Sequence, residues 1–112
     1  MFGFQRLDVY KAAVGFLGLA CKLLSKIPRG NADLSDQLRR AALSVPLNIA
    51  EGSGKFSRDA VRFYTIATGS ALECAAILDA LETIGAVDEN DLKDAREILE
   101  RVVSMLTGLI RR

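Results

Sequence analysis

Glu51 and Glu73 are the residues that come nearest to catalytic chemistry. Glu51 closes a helix-like segment, and Glu73 stands at the margin of an apolar stripe beside Ser70. A pair of carboxylates doing acid–base work needs a pocket and a nucleophile, metal or second proton carrier at hand. Nothing of that kind accompanies them. The chain has no histidine, and its two cysteines, Cys21 and Cys74, have no metal-ligand spacing. The carboxylates therefore read as members of a structural polar network completed by Arg39 or Arg40, Gln37, Asn48 and Ser70, since partly buried charge is normally paired. No catalytic residue, metal ligand or cofactor is expected. Both thiols fall on apolar helical faces and are expected to be buried and free in a reducing compartment.

Gly54-Lys55 resembles the end of a phosphate-binding loop but fails the pattern. Ile49 stands where a glycine is needed, Phe56 where Ser or Thr is needed, and a helix rather than a strand precedes it. A second route to phosphate is the basic strip of Arg39, Arg40, Lys55, Arg58 and Arg62, with the aromatics Phe56, Phe63 and Tyr64 nearby. Such a strip would hold a nucleic-acid backbone. Scattered exposed cations are also ordinary solvated surface, and the pattern places Phe63 in the core.

These residues depend on the segment Gln37–Lys55, QLRRAALSVPLNIAEGSGK. It is written as a helix, yet it carries Pro46 at its centre and ends in Gly-Ser-Gly. Gln37, Arg40, Ser44, Asn48 and Glu51 run along it at helical spacing. A polar stripe of this kind fixes register between helices or subunits. Proline removes one backbone hydrogen bond and crowds the preceding turn, which predicts a kink between Ala42 and Pro46.

Four helices are predicted around it, with no strand pattern anywhere. Helix 1 runs from about Leu7 to Lys26 and stops before Pro28 and Gly30. Its apolar arc is about twice the roughly 100° that a bundle helix needs, so a partner subunit is the simplest destination for the excess. Helix 2 runs from near Asp33 to about Glu51, capped by Asn31 or Asp33, and Gly52-Ser53-Gly54 ends it. Helix 3 begins after Ser57 as N-cap, with Phe63, Ile66, Ala67, Ser70, Cys74, Ile77, Leu78, Leu81 and Ile84 along one side and Gly85 as its stop. Gly69, like Gly15 and Gly18 in helix 1, implies close approach of another helix. Helix 4 opens on the acidic turn Asp88-Glu89-Asn90-Asp91 and ends at Arg111-Arg112, both suited to the helix dipole. Four helices with short loops predict a single all-α domain over residues 1–112, an antiparallel up-down four-helix bundle with helix 2 kinked at Pro46.

The composition fits one globular domain: 112 residues, 50% hydrophobic and 26% charged. A net charge of +1 provides no global field for nucleic acid, but its distribution is uneven. Residues 1–62 hold ten Lys and Arg against five Asp and Glu, or +5; residues 63–112 hold five against nine, or −4. That asymmetry hints at one basic surface. No apolar stretch is long enough to span a bilayer and no secretory leader is evident, so a soluble cytoplasmic protein is expected.

The run Gln37-Leu38-Arg39-Arg40-Ala41-Ala42, then Ser44-Val45-Pro46, then Asn48-Ile49-Ala50-Glu51-Gly52 with Gly54 after it, closely resembles the signature of the 23S rRNA-intervening-sequence protein family, also called the four-helix-bundle protein family. Ile66-Ala67, Gly69-Ser70 and Glu73 match its second signature, in the third helix. The region Phe4–Ala12 is similar as well, with Tyr10 where the family often has tryptophan. The resemblance covers essentially the whole chain and marks Gln37, Ser44, Pro46, Asn48, Glu51, Ser70 and Glu73 as structural signature residues. It implies a four-helix bundle, a ring-like homopentamer, no enzymatic activity and no small-molecule substrate. It also implies a gene type sometimes carried within inserts in ribosomal RNA genes. A distant relative assists reverse transcriptases through a basic surface. The expected function is a non-enzymatic RNA-binding or nucleic-acid-associated accessory role; the alternative is a protein-binding oligomeric scaffold with no nucleic-acid role.

Overall fold

The computed structural model describes residues 1–112. A 3-10 turn, Gly3–Arg6, leads into four helices: α1 (Asp8–Leu24), α2 (Ala32–Ser53), α3 (Ser57–Thr83) and α4 (Glu89–Ile110). There is no strand. No helix is long and apolar enough to cross a membrane.

The same spacing recurs in all four helices. The buried series are Val9, Ala13, Phe16, Ala20 and Leu23 in α1, and Leu38, Ala42, Val45, Ile49 and Gly52 in α2. In α3 the series is Tyr64, Ala67, Ala71, Cys74, Leu78 and Leu81; in α4 it is Leu92, Ala95, Leu99, Val102 and Leu106. Steps of three and four residues alternate in each. That spacing keeps one seam facing the partner helices and suits bundle packing at shallow crossing angles. α1 and α3 each pack on α2 and α4, while the diagonal pairs do not meet. The α2–α3 contact is the most extensive.

Particular pairs give the helix directions. Ser44 meets Ser70 while Gly52 meets Tyr64, so α2 and α3 run in opposite senses. Arg96 meets Asp79 and Glu82 across α3–α4, and Leu99 and Val103 face Ala71 and Ala75 there. Lys26 meets Asp91 at one end of α1, and Leu7 and Asp8 lie by Leu109 and Arg112 at the other.

The turns follow local chemistry. Asp88 caps α4, its side chain accepting the Asp91 N–H at 2.9 Å. Gly85, read as the stop of helix 3, has φ +72°. There the Ala86 N–H reaches the Leu81 carbonyl at 3.0 Å, closing the helix end in a left-handed cap.

Several sequence expectations are corrected. The N-cap of α3 is Phe56, and Ser57 is already the first helical residue. The core stripe of α3 is rotated from the predicted one: Tyr64 and Ala71 are buried, Phe63 and Ser70 lie at the edge, and Ile66 and Ile84 are exposed. Gly52 causes the rotation at the N-terminal half by admitting the Tyr64 ring against the α2 backbone. Gly52 is therefore a packing residue inside α2 rather than its terminator, and α2 continues to Ser53 with Gly54 as C-cap. No neighbour stands close enough to Gly69 or Gly18 to require a glycine, and Gly15 has only ordinary contact with Ile98 at 4.0 Å. Cys74 is buried as expected, but Cys21 is exposed. The wide apolar arc of α1 is mostly covered within the bundle, Leu7, Tyr10, Leu17, Leu19 and Leu24 packing on the core, and only Val14 is a large apolar residue left open.

Candidate nucleic-acid interface

The middle of the α2–α3 contact carries the polar residues of the sequence motif. Ser44 and Ser70 hydroxyls bond at 2.8 Å. The Asn48 side-chain N–H₂ donates to the Ser44 carbonyl at 2.8 Å and to the Ser44 hydroxyl at 3.0 Å. This is a register lock, half-buried and internally satisfied. The carboxylates expected in it are elsewhere. Glu51 and Glu73 are both exposed, and neither forms an ion pair. The reason is register. With Ser44 opposite Ser70, Glu51 and Glu73 lie on diverging sides of that pair, roughly 15 Å apart along the bundle at 1.5 Å per residue. Glu73 instead borders a shallow polar depression of about 490 Å³ with Gln37, Arg40, Ser44 and Ser70.

The five cations of the basic strip divide into two groups. Arg39 is tied to Asp36 in its own helix at 3.1 Å, and Arg40 lies at the Glu73 depression. Both are about four turns of α2 away from Lys55, roughly 22 Å. Lys55, Arg58 and Arg62 form the second group. The Lys55 Nζ stands 5.8 Å and the Arg62 guanidinium 5.5 Å from the centroid of one ring, Phe63. Arg58 precedes Arg62 by one helical turn on the same face of α3. Phe63, predicted to be a core residue, is the half-buried base under two of these cations.

Other segments bring further charge to the same end. The 3-10 turn with Arg6 packs on α1 and α2. The α4 C-terminus arrives beside α1's start, and Arg112 is close enough to oppose the rise in the Tyr64 pKa that burial causes. Arg6, Lys11, Lys55, Arg58, Arg62, Arg111 and Arg112 thus gather in this half against Asp8, Glu51 and Asp59, while Glu100 and Arg101 stand side by side at mid-length. The opposite end, around the α3–α4 turn, carries Asp79, Glu82, Asp88, Glu89, Asp91, Asp94 and Glu97. Two of its cations are paired locally: Lys26 with Asp91, and Arg96 with Asp79 at 2.9 Å and Glu82 at 3.1 Å, while Lys22, Arg29 and Lys93 make no ion pair. Lys55, Arg58 and Arg62 make no ion pair. The molecule is charged end to end, with its net positive charge at the end that carries Lys55, Arg58 and Arg62.

The Lys55–Arg62 cluster is visible in the sequence, but Arg39 and Arg40, expected in the same strip, do not belong to it. Arg6, Arg111 and Arg112 carry no local signal, because they come from distant parts of the chain. The end-to-end charge needs the helix directions as well as the sequence.

The model of the 23S rRNA-intervening sequence protein family matches residues 5–108. The chain belongs to that family. Its fold is similar to the crystal structure of a Bacteroides thetaiotaomicron protein of unknown function from the S23 ribosomal protein family, with a TM-score of 0.84 and 20% sequence identity. That likeness covers 93% of this chain and 99% of the other. No curated protein sequence matches the chain. Within this intervening-sequence protein, the signature Ser44, Asn48 and Ser70 lie in the α2–α3 lock, so the family motif is written largely at a helix–helix contact.

Proposed function

We propose that this intervening-sequence family member is a non-enzymatic RNA-binding accessory protein that contacts phosphate through its basic end. The observation that carries this reading is the pair Lys55 and Arg62 over Phe63, with Arg58 one helical turn before Arg62, all three free of carboxylate partners. Unpaired cations on a rigid helix start suit a polyanion, and the affinity they provide is dominated by counterion release. The wide separation of Glu51 and Glu73 supports the non-catalytic part, since carboxylate pairs that share a reacting bond stand roughly 5–10 Å apart. A cytoplasmic location belongs to the same reading, which two unpaired cysteines suit.

The test is fluorescence anisotropy with a labelled RNA hairpin bearing a single-stranded tail. Binding at low salt that weakens in the Arg58→Ala/Arg62→Ala variant supports the proposal. Absence of binding at low salt defeats it.

A second reading, a protein-binding scaffold, is favoured by a groove of about 460 Å³ between α3 and α4, where Leu72, Ala75, Leu99 and Val103 are bordered by Asp79, Arg96 and Glu100. Self-association is part of both readings: Leu43 and Leu47 stand open one turn apart on α2. A monomeric mass by light scattering at micromolar concentration would remove that part.

A further inference from the structure

We propose that Phe56 is a stacking platform for an unpaired RNA base, placed among the cations that hold the flanking phosphates. This rests on the basic-end reading and adds to it the kind of RNA that is bound. The chain has five Phe and two Tyr. Six of these seven rings have an occupation. Phe2 stacks on Phe4 at 5.9 Å, and Phe4 meets Tyr10 edge-on at 4.9 Å. Phe16 and Tyr64 are buried, and Phe63 lies under Lys55 and Arg62. Phe56 is the most exposed of the seven, at 93% against 73% for Phe2, and it alone has neither burial nor an aromatic or cationic neighbour on its ring.

The position is also fixed. The Phe56 carbonyl accepts the Ala60 N–H at 2.8 Å, which starts α3, and the Lys55 N–H donates to the Gly52 carbonyl at 3.1 Å. The ring therefore projects from an anchored backbone at the tip of the α2–α3 turn, with Lys55 before it and Arg58 two residues after it. An aromatic face set among cations is complementary to a single strand, in which bases and phosphates alternate. A duplex offers the same phosphates but keeps its base faces stacked inside, so the ring discriminates for unpaired RNA. A lipid surface fits less well, because the residues next to Phe56 in the chain, Gly54, Lys55, Ser57 and Arg58, add no large apolar side chain to it.

The experiment measures the affinity of an oligouridylate single strand and of an RNA duplex of matched length. It compares the wild-type chain, Phe56→Leu and Arg58→Ala/Arg62→Ala, each confirmed as folded by circular dichroism. Leucine keeps an apolar side chain and removes the π face. Stacking gives roughly 5- to 100-fold weaker single-strand binding in F56L, with duplex binding unchanged. The double arginine variant weakens both ligands. If F56L binds the single strand as the wild type does while the arginine variant is impaired, the stacking role is overturned and the basic-end reading stands. If the wild type binds neither RNA, both fall. Phe56-dependent partitioning onto phosphatidylserine vesicles, with RNA affinity unchanged in F56L, would make the ring a lipid anchor and overturn the proposal.

Discussion

Gly52 of α2 lies directly against the Tyr64 ring of α3: a Cβ built on residue 52 would stand 2.8 Å from Cε1 of that ring and 3.1 Å from the Phe63 Cβ. No real Cβ tolerates the first distance, so the two helices meet here only because residue 52 has no side chain. Gly52→Ala sets two effects against each other. Alanine gains about 1 kcal/mol in helix propensity. Overpacking against a buried ring costs about 1–3 kcal/mol. A net loss is expected, because Phe63 and Tyr64 crowd the site from adjacent positions. Thermal unfolding measures it, at roughly 4 °C per kcal/mol for a domain of this size. The cost should shrink when the same change is made in a Tyr64→Ala background, since the obstructing ring is gone. Equal costs in both backgrounds would mean that the contact is not the cause.

The two cysteines should separate cleanly in reactivity. Cys21 is exposed on α1, whereas Cys74 is fully buried in α3. Burial, reinforced by the neighbouring Glu73 charge, pushes the Cys74 thiol up to about 12. At pH 8 a thiol of that kind is ionised to roughly one part in ten thousand, and the thiolate is the reactive species. Titration of the native protein with a disulfide reagent should release one fast equivalent, absent in Cys21→Ser, and a second only on unfolding. Two fast equivalents from the native chain would show that the core around Cys74 opens readily.

The acidic end should show a defined pH response. Lys26 donates to Asp91 across α1 and α4, and this bond holds the Asp91 carboxyl below its usual range and raises Lys26 above its own. A depressed carboxyl contributes stability above its unfolded-state pKa and loses it as pH falls through the folded value. A raised lysine contributes below its unfolded-state pKa and loses it as pH climbs through the folded value. The stability difference between wild type and Asp91→Asn should therefore be present at neutral pH. It should fade in acid below about pH 4 and again in alkali above about pH 10. Lys26 is exposed and Asp91 half-buried at the surface, so the difference is small and screened by salt. Denaturant midpoints for the two proteins across pH test this, and a constant difference from acid to alkali would contradict the assignment.

Much of this architecture is legible in the residues. Four stretches carry apolar periodicity, and Gly85 and the acidic start of α4 mark helix ends through chemistry confined to one turn. The features that differ from the sequence pattern depend on contact between distant turns. Gly52 looks like a terminator because glycine at a helix end usually is one; only the arrival of Tyr64 from α3 shows its packing role. The apolar pattern of α3 runs through Phe63 and Ile66. The close approach at Gly52 nevertheless takes Tyr64 inward and leaves Phe63 at the edge beneath two cations. Glu51, Asn48 and Arg40 share one helical face, which invited a single network. The α2–α3 register gives only Asn48 and Ser44 to the serine pair. The basic end was half visible as Lys55, Arg58 and Arg62. Arg6 and Arg112 join it through chain reversals that no local pattern encodes.

The central claim is that the unpaired cations of the basic end bind RNA backbone, and the salt dependence of binding tests it most directly. Log affinity for a single-stranded RNA should fall linearly with log salt, with a slope of about −0.7 per neutralised phosphate. Replacing Lys55, Arg58 and Arg62 together by alanine should flatten that slope by roughly 2, while Arg39→Ala, whose cation is tied to Asp36, should leave it nearly unchanged. No binding at low salt, or a triple variant with the wild-type slope, would contradict the account.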